Sequence, residues 1–423
     1  MKNFGSLYYV VHLPAQRRQV SQACAPSSSG FPSRSIATAC GVSGYSKLEN
    51  DGIAKEIGSA FQKHFEQPAL RKELTVNMTR SLQAMLPQLV SVIDTLVDQF
   101  IWERELVKVS ENAEGEDVVI ADLRYSFSLK QCLPNLTQDS AIIPNFLGHV
   151  ITPTITGSAL IEIYPSLFTN FDTFKFAFSL MSYGLPRWLP IPRVTTSHIA
   201  RKHILDKLED FHSALKKNIS GSGTTGEWGE MTDVSPALLD CYEIYEKHSL
   251  PLRTRAALDL CNLWSINLGI NDICTQTLLR IVSTPDLADR IRAETARFAS
   301  ATQPEVTFGI AEPPRLKLEI AGLVEKCPLL LSCIVETIRL DSFPESSRKL
   351  ASSVKASAPG GGTFVLDKGD NVILAAGLYF SDSGSFLSPA KWDPSRHLNS
   401  SESRLEIVRS YEESRNYPYN NCE

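Results

Sequence analysis

The chain has 423 residues, of which 43% are hydrophobic and 21% charged, so it can bury a large core and does not have the composition of a disordered protein. Its net charge of -5, with basic residues scattered among acids, argues against nucleic acid as a partner. Nine cysteines without a Cys-x-x-Cys pair indicate a reducing compartment, and no apolar window is long enough to predict a membrane span.

Helical patterns dominate the first half of the chain. Apolar residues recur at steps of three and four in residues 67–104, which predicts a long amphipathic helix. Residues 117–123 alternate in polarity and fit either a strand or a loop. Residues 171–193, FDTFKFAFSLMSYGLPRWLPIPR, predict a helix that ends at three prolines, and a further helix is expected from Ser197 to Asn218.

The longest helical pattern runs from Leu252 to Val282 without proline, and at 1.5 Å per residue it spans roughly 45 Å. It predicts a central helix that crosses the domain. Ser283 or Thr284 is expected to cap a next helix that starts at Pro285. Another helix is expected to start at Pro328, followed by two short strands in TFVLDKGDNVILAA, residues 363–376. We therefore predict one mainly helical domain over residues 1–423, with a small β component.

Two opposite charges lie in the apolar segment CPLLLSCIVETIRLDS, residues 327–342. Apolar residues cover nearly every face of the predicted helix, so Glu336 and Arg339 are expected to be buried. Because an isolated buried charge costs several kcal/mol, the two must be paired and hydrogen-bonded. On the three-residue spacing alone, an ordinary surface ion pair is the alternative.

The segment YFSDSGSFLSPAKWDPSRHL, residues 379–398, favours the buried pair. Together with the Glu-x-x-Arg helix it resembles the cytochrome P450 family of haem-thiolate oxygenases, in which an arginine from a downstream aromatic-x-Pro-x-Arg element joins the helix pair. The resemblance implies that Glu336, Arg339 and Arg396 form a structural clamp supporting the haem pocket. Phe380 stands where the family usually has histidine, and Ser395 where it often has an acid. The positions that match the family's spacing are Asp382, Phe386, Pro389, Trp392, Pro394 and Arg396.

The long helix is similar to the family's helix on the distal face of the haem, whose signature is Ala/Gly-Gly-x-Asp/Glu-Thr. Here LGIND, residues 268–272, keeps Gly269 but has Asn271 at the acid position and Asp272 at the alcohol position. The resemblance implies that Asn271 and Asp272 are catalytic and that Gly269 and Asn267 lie against the cofactor. Alternatively, Asn267 and Asn271 are polar residues of a buried helix that bond to their neighbours.

Haem-thiolate chemistry requires a cysteine thiolate as the axial ligand of iron. The family supplies it from Phe-x-x-Gly-x-x-x-Cys-x-Gly, downstream of the arginine element. If Tyr419 takes the Phe position, the ligand position falls beyond Glu423, and Cys422 is out of register. No metal ligand is therefore assigned. We expect a chain truncated at both ends, with haem bound weakly or not at all.

For the intact parent, the resemblance implies a monooxygenase that inserts one oxygen atom from O2 into a hydrophobic substrate. Its cofactor would be haem, its electrons would come from an NADPH-dependent reductase, and it would lie in the cytoplasm or on the cytoplasmic face of the endoplasmic reticulum. Trp188, Leu189 and Ile191 could make peripheral membrane contact, or pack as a proline-rich loop. Two other functions stay open: a peroxide isomerase or dehydratase that needs no reductase, favoured by the Asn-rich helix, and a non-catalytic remnant.

Overall fold

The computed structural model describes residues 8–11, 14–24, 34–89, 107–111, 117–121, 142–221, 226–302, 315–341, 345–357, 362–398, 404–405 and 407–408. The helices are α1 Pro14–Ala23, α2 Arg34–Cys40, α3 Tyr45–Asn50, α4 Ile53–Glu66, α5 Pro68–Leu89, α6 Ile142–Thr156, α7 Ala159–Ile163, α8 Leu167–Lys175, α9 Phe178–Ser182, α10 Pro192–Ser220, α11 Pro236–Lys247, α12 Leu252–Val282, α13 Leu287–Thr295, α14 Ile320–Lys326, α15 Pro328–Asp341 and α16 Ala376–Phe380. The strands are β1 Tyr8–Val11, β2 Val107–Glu111, β3 Asp117–Ala121, β4 Ala299–Thr302, β5 Arg315–Leu318, β6 Glu345–Lys349, β7 Val354–Ser357, β8 Thr363–Leu366 and β9 Asn371–Ala375. The predicted mainly helical architecture is confirmed.

The largest hydrophobic core surrounds the first half of α12, which has the predicted bounds. Every residue from Thr254 to Trp264 is buried. The Trp264 ring stacks on Phe178, with 4.4 Å between ring centroids, and meets Phe174 edge-on at 4.9 Å. These aromatic contacts hold α8 and α9 against α12, so α12 is the central helix that its unbroken apolar pattern predicts.

Short sheets lie beside the helical core. β9 is the centre of a three-stranded sheet and pairs parallel with β1 and antiparallel with β6. β8 instead pairs antiparallel with β7, while β2 pairs with β3 and β4 with β5. The two strands expected in residues 363–376 are therefore present, but they belong to different sheets. The turn between them passes through Gly369, whose φ of 96° is in the left-handed region that glycine adopts readily.

The predicted start of the helix after α12 was wrong. Helix α13 begins at Leu287 and not at Pro285, because Asp286 precedes it in the left-handed conformation, with φ 59°. Ser283 is instead the C-terminal cap of α12, and the Thr284 hydroxyl donates to the Arg280 carbonyl at 2.7 Å. Both polar side chains therefore belong to the end of the preceding helix.

Helix α15 begins at Pro328, as predicted. Proline has no N–H to satisfy, and the next two backbone amides donate to the Glu294 carboxylate of α13, from Leu329 at 2.9 Å and from Leu330 at 3.0 Å. A carboxylate is also favoured by the positive end of the helix dipole. Glu294 therefore fixes where α15 starts and ties it to α13.

Other local expectations hold in part. The pattern in residues 67–104 forms α5 as far as Leu89, and residues 90–106 lie outside the described residues. Asp117–Ala121 is a strand, and the helix expected from Ser197 already begins at Pro192. The segment before it forms two helices, α8 and α9, where one was predicted. In the part of the chain that the structure describes, no helix is both long and apolar enough to cross a membrane.

Candidate functional site

The structure brings the three predicted clamp residues together at the side of α15. Glu336 is 0% exposed and Arg339 3% exposed. Arg339 donates two parallel hydrogen bonds to the Glu336 carboxylate, from Nε to Oε2 and from Nη2 to Oε1, both 2.8 Å long. Arg396 Nε donates to Oε1 at 3.1 Å. This is a buried, charge-assisted network and not a surface ion pair.

The matched positions upstream of Arg396 contact the same pair. Arg339 donates from Nη1 to the Phe380 carbonyl and from Nη2 to the Pro389 carbonyl, both at 2.7 Å. The guanidinium carbon of Arg339 lies 5.0 Å from the centroid of the Phe386 ring. Trp392 Nε1 donates to the Thr337 hydroxyl of α15 at 3.2 Å. The segment therefore surrounds the arginine with carbonyls and an aromatic face, which accounts for its spacing.

A further member of the network was missed by the sequence analysis. His397 is 0% exposed, and its Nε2 lies 2.9 Å from Glu336 Oε2. Its backbone N–H donates to the Ser332 hydroxyl at 3.2 Å, which anchors it to α15. We call Glu336, Arg339, Arg396 and His397 the Glu336 cluster. No spacing rule marks His397, and its position directly after Arg396 is the only signal that was present.

The ionisation of Glu336 depends on these partners. Burial alone would raise its pKa, but hydrogen bonds from Arg339 and His397 outweigh it and lower the pKa to about 2. The backbone N–H of Asp393 adds a further donor, 3.2 Å from Oε1. Glu336 therefore stays a carboxylate until the pH falls towards 2.

The second half of α12 has an uncovered apolar side among the described residues. Its exposed residues recur at steps of four: Ile270, Cys274, Leu278 and Val282, with Ile270 36%, Leu278 41% and Val282 55% exposed. We call Ile270, Cys274 and Leu278 the open face of α12. Apolar side chains in line on a central helix are unusual at a surface, so this face is suited to an apolar ligand or cofactor.

Polar side chains flank the open face on the same helix. Asn267, Asn271 and Thr275 lie at steps of four and are each less than 10% exposed. Asn267 Nδ2 donates to the Leu263 carbonyl at 2.9 Å and to the Thr152 hydroxyl of α6 at 3.1 Å. Among the described residues, Asn267 Oδ1 and Thr275 Oγ1 have no hydrogen-bond partner. Gly269 is also buried, two residues from Asn267 and therefore on another side of the helix.

Asp272 is not grouped with these side chains. Its Oδ1 lies 3.5 Å from Lys175 Nζ at the end of α8, and both side chains are about one-third exposed, at 31% and 33%. Partial burial raises the pKa of Asp272, and the nearby lysine opposes that rise. Burial likewise lowers the pKa of Lys175. Asp272, predicted to be catalytic, therefore forms an ion pair with a lysine of α8.

The chemistry of the open face is compatible with an apolar cofactor such as haem. Its apolar side chains match the apolar macrocycle, and the adjacent neutral polar atoms have unfilled hydrogen-bonding capacity. We assign no axial ligand among the described residues. Burial raises the pKa of the Cys241, Cys261, Cys327 and Cys333 thiols, as is ordinary for cysteines of a core. Cys422 lies outside the described residues.

The proline-rich segment between α9 and α10 exposes aromatic side chains. Trp188 is 80% exposed and Tyr183 is 73% exposed, whereas Leu189 and Ile191 are partly buried. Of the three residues predicted to contact a membrane, only Trp188 is thus largely exposed to solvent. Peripheral membrane contact stays a prediction.

Comparison with known proteins gives a consistent result. No protein-family model matches the chain. A search of curated proteins finds eburicol 14-alpha-demethylase of Penicillium italicum, 26% identical over 267 residues, which are 60% of this chain and 44% of that protein. The chain thus spans less than half the length of this relative.

Solved structures share the fold over almost the whole chain. A zebrafish cytochrome P450 solved with progesterone matches 98% of this chain and 88% of its own, with a TM-score of 0.51 and 15% identity. A crystal structure of another cytochrome P450 matches 96% of this chain and 83% of its own, with a TM-score of 0.56 and 12% identity. The chain therefore has the cytochrome P450 fold. At the level of the fold, this confirms the resemblance seen in its sequence.

Proposed function

We propose that the chain is a haem-dependent oxidoreductase of the cytochrome P450 type, which inserts one oxygen atom from O2 into a hydrophobic substrate. The observation that supports this most strongly is the open face of α12 beside a helix fixed by the Glu336 cluster. Ile273 of α12 packs with Val335 and Ile338 of α15, and Arg280 Nη2 donates to Asp341 Oδ1 at 2.7 Å. The Glu336 cluster thus has a structural role: it sets the orientation of α15, which supports α12.

The open face would contact the haem, with Asn267 and Asn271 as neighbouring polar groups on the same helix. When bound, haem supplies the activation of O2 with electrons from an NADPH-dependent reductase. The protein would exclude water and orient the substrate. The fungal relative is named for eburicol demethylation, and the zebrafish structure contains progesterone, so we propose a hydrophobic organic substrate.

The pairing of Asp272 supports a second candidate function, the rearrangement or dehydration of a peroxide. Monooxygenation consumes two electrons and two protons for each O2, and a positioned acid assists the proton transfers. Asp272 instead lies against Lys175. Isomerisation of a peroxide needs neither external electrons nor net protons, so neutral amides such as Asn267 and Asn271 suffice beside the reacting group.

Turnover by the haem-loaded chain separates these candidates. With NADPH, a reductase and O2, we expect oxidation of an apolar substrate, and Asp272→Asn should slow it by about 10²-fold or more if Asp272 delivers protons. Conversion of a lipid hydroperoxide without reductase should be unaffected by Asp272→Asn. Equal loss of both reactions would indicate a folding defect. A chain that binds haem but performs neither reaction would contradict both functions and favour a non-catalytic remnant.

A further inference from the structure

A histidine joins the proline-rich segment between α9 and α10, residues 183–191, to helix α10. His198 Nε2 lies 2.9 Å from the Leu185 carbonyl oxygen, and His198 Nδ1 lies 3.0 Å from Nη2 of Arg201. A carbonyl can only accept and a guanidinium can only donate, so Nε2 must carry a hydrogen and Nδ1 must have none. These two contacts therefore require the neutral form of His198 in a single tautomer.

Arg201 extends the connection to α2. Its Nη1 donates to the Ala39 carbonyl at 2.8 Å and to the Thr38 carbonyl at 3.5 Å, both in the last turn of α2. A cation is favoured there because the last carbonyls of a helix lack partners within the helix and lie at the negative end of its dipole. Arg201, His198 and the Leu185 carbonyl thus form one chain of hydrogen bonds from α2 to the segment. We call these three groups the His198 latch.

The segment itself is built from short local turns. Leu189 N–H donates to the Pro186 carbonyl at 3.2 Å, and Ile191 N–H donates to the Leu189 carbonyl at 2.7 Å. Its two large aromatic side chains, Tyr183 and Trp188, are 73% and 80% exposed, so they contribute little burial that would hold it in place. Attachment of the segment to the helices therefore depends strongly on the His198 latch.

Protonation of His198 is incompatible with this arrangement. An imidazolium offers no acceptor to Arg201, and it would place two positive charges in direct contact. Arg187 of the segment adds a further positive charge near His198. The titratable groups that face Arg201 from the other packed helices are Arg253 of α12 and the Cys40 thiol of α2. The two charged side chains that act on His198 are thus both cations.

The direction of the pH effect follows from these contacts. Burial is the main cause that lowers the pKa of His198 below its ordinary value of 6.5, and the charges of Arg201 and Arg187 lower it further, while the hydrogen bond to the Leu185 carbonyl opposes the shift. With the latch broken, the hydrated imidazole would bind a proton more tightly than it does in place. The bonded arrangement is therefore fully favoured above pH 6.5 and weakens as the pH falls below it.

We propose that His198 is a proton-sensitive switch, which holds residues 183–191 to α10 and α2 when it is neutral and releases them when it is protonated. Falling pH is the signal, and release of the segment is the response. This inference goes beyond the proposed function, because it requires neither a cofactor nor a substrate.

Hydrogen exchange on the full 423-residue chain tests the switch. Protection of the backbone amides of residues 185–191, corrected for the intrinsic exchange rate, is measured from about pH 7.5 down to about pH 5. In the wild type we expect protection to fall about tenfold over this range, as the loss of a hydrogen bond to a charged group allows. His198→Gln keeps a neutral donor and acceptor that do not titrate, so protection should become independent of pH. His203→Gln is the matched control, because His203 is an exposed histidine of the same helix, and it should retain the wild-type pH dependence.

Wild-type protection that does not change with pH would overturn the inference, as would a pH dependence that persists in His198→Gln. An equal loss of protection in the buried half of α12 would show general unfolding in acid and would also overturn it. Nuclear magnetic resonance titration of His198 in the wild type gives a second test that needs no variant. A pKa below 6.5 is expected, and a pKa at or above 6.5 would contradict the switch.

Discussion

Replacing Glu336 by alanine is expected to lower the free energy of unfolding by about 3–5 kcal/mol, and soluble expression should collapse. The substitution leaves the Arg339 guanidinium buried without its carboxylate, and it also removes the partner of His397. Urea unfolding of wild type and variant measures the effect. Glu49→Ala is the matched control, because it removes a carboxylate from an exposed pair with Arg34, and such pairs contribute about 0–1 kcal/mol.

Acid titration provides an independent measure of the same interaction. The pKa of Glu336 is lowered from its ordinary value of 4.5 to about 2, so its contribution to the free energy of unfolding is complete above pH 4.5 and is lost as pH falls towards 2. A difference of this size corresponds to roughly 3 kcal/mol. Wild-type stability should fall through this range, and the fall should be smaller in Glu336→Ala. If Glu336→Ala is as stable as the wild type, the Glu336 cluster does not stabilise the fold. The cluster would then no longer support the assignment of the site on α12.

A second large effect is expected at Asp259, in the buried half of α12. Asp259 Oδ1 accepts from the Tyr245 hydroxyl of α11 at 2.9 Å, and Oδ2 lies 2.8 Å from His212 Nε2 of α10. All three residues are at most 2% exposed. Asp259→Leu, which removes both carboxylate oxygens, should lower the free energy of unfolding by about 3–5 kcal/mol because it leaves both partners buried without an acceptor.

Thermal unfolding of Asp259→Leu beside Asp259→Asn measures this effect. The asparagine variant retains an acceptor for Tyr245, so it should be destabilised less than the leucine variant. Equal destabilisation by both would show that the carboxylate charge matters more than the hydrogen bond. An Asp259→Leu protein as stable as the wild type would contradict the account of this buried triad.

The features that could be predicted from the sequence are those with a local period. The bounds of α12 follow from an unbroken apolar pattern between prolines, and the burial of Glu336 and Arg339 follows from apolar residues on every side of α15. The spaced residues after Phe380 could be read only through a family resemblance. Their contacts with Arg339 come from chain folding, which no helical or strand period encodes.

Side-chain pairs that are distant in sequence could not be predicted. Asn267 and Thr152 are 115 residues apart, and His397 and Glu336 are 61 residues apart. Nothing in either local pattern marks one residue as the partner of the other. A local signal also gave a wrong prediction where the residues belong to the preceding helix. Ser283 and Thr284 resemble N-caps, yet both bond to the C-terminal end of α12. The ion pair of Asp272 with Lys175 on α8 is likewise a contact that no local pattern encodes, and the catalytic role of Asp272 stays a prediction.

Haem uptake by the purified chain tests most directly whether the open face of α12 is the cofactor site. We expect weak but saturable haem binding, followed by absorbance, because no axial ligand is assigned among the described residues. We expect Leu278→Glu to weaken it at least about tenfold, since it places a charge on the apolar face. Val324→Glu is the matched control on α14, because Val324 is 56% exposed and lies outside the open face, so uptake should match the wild type. Absence of haem binding by a folded wild-type chain, or equal uptake by Leu278→Glu, would contradict the assignment of this site.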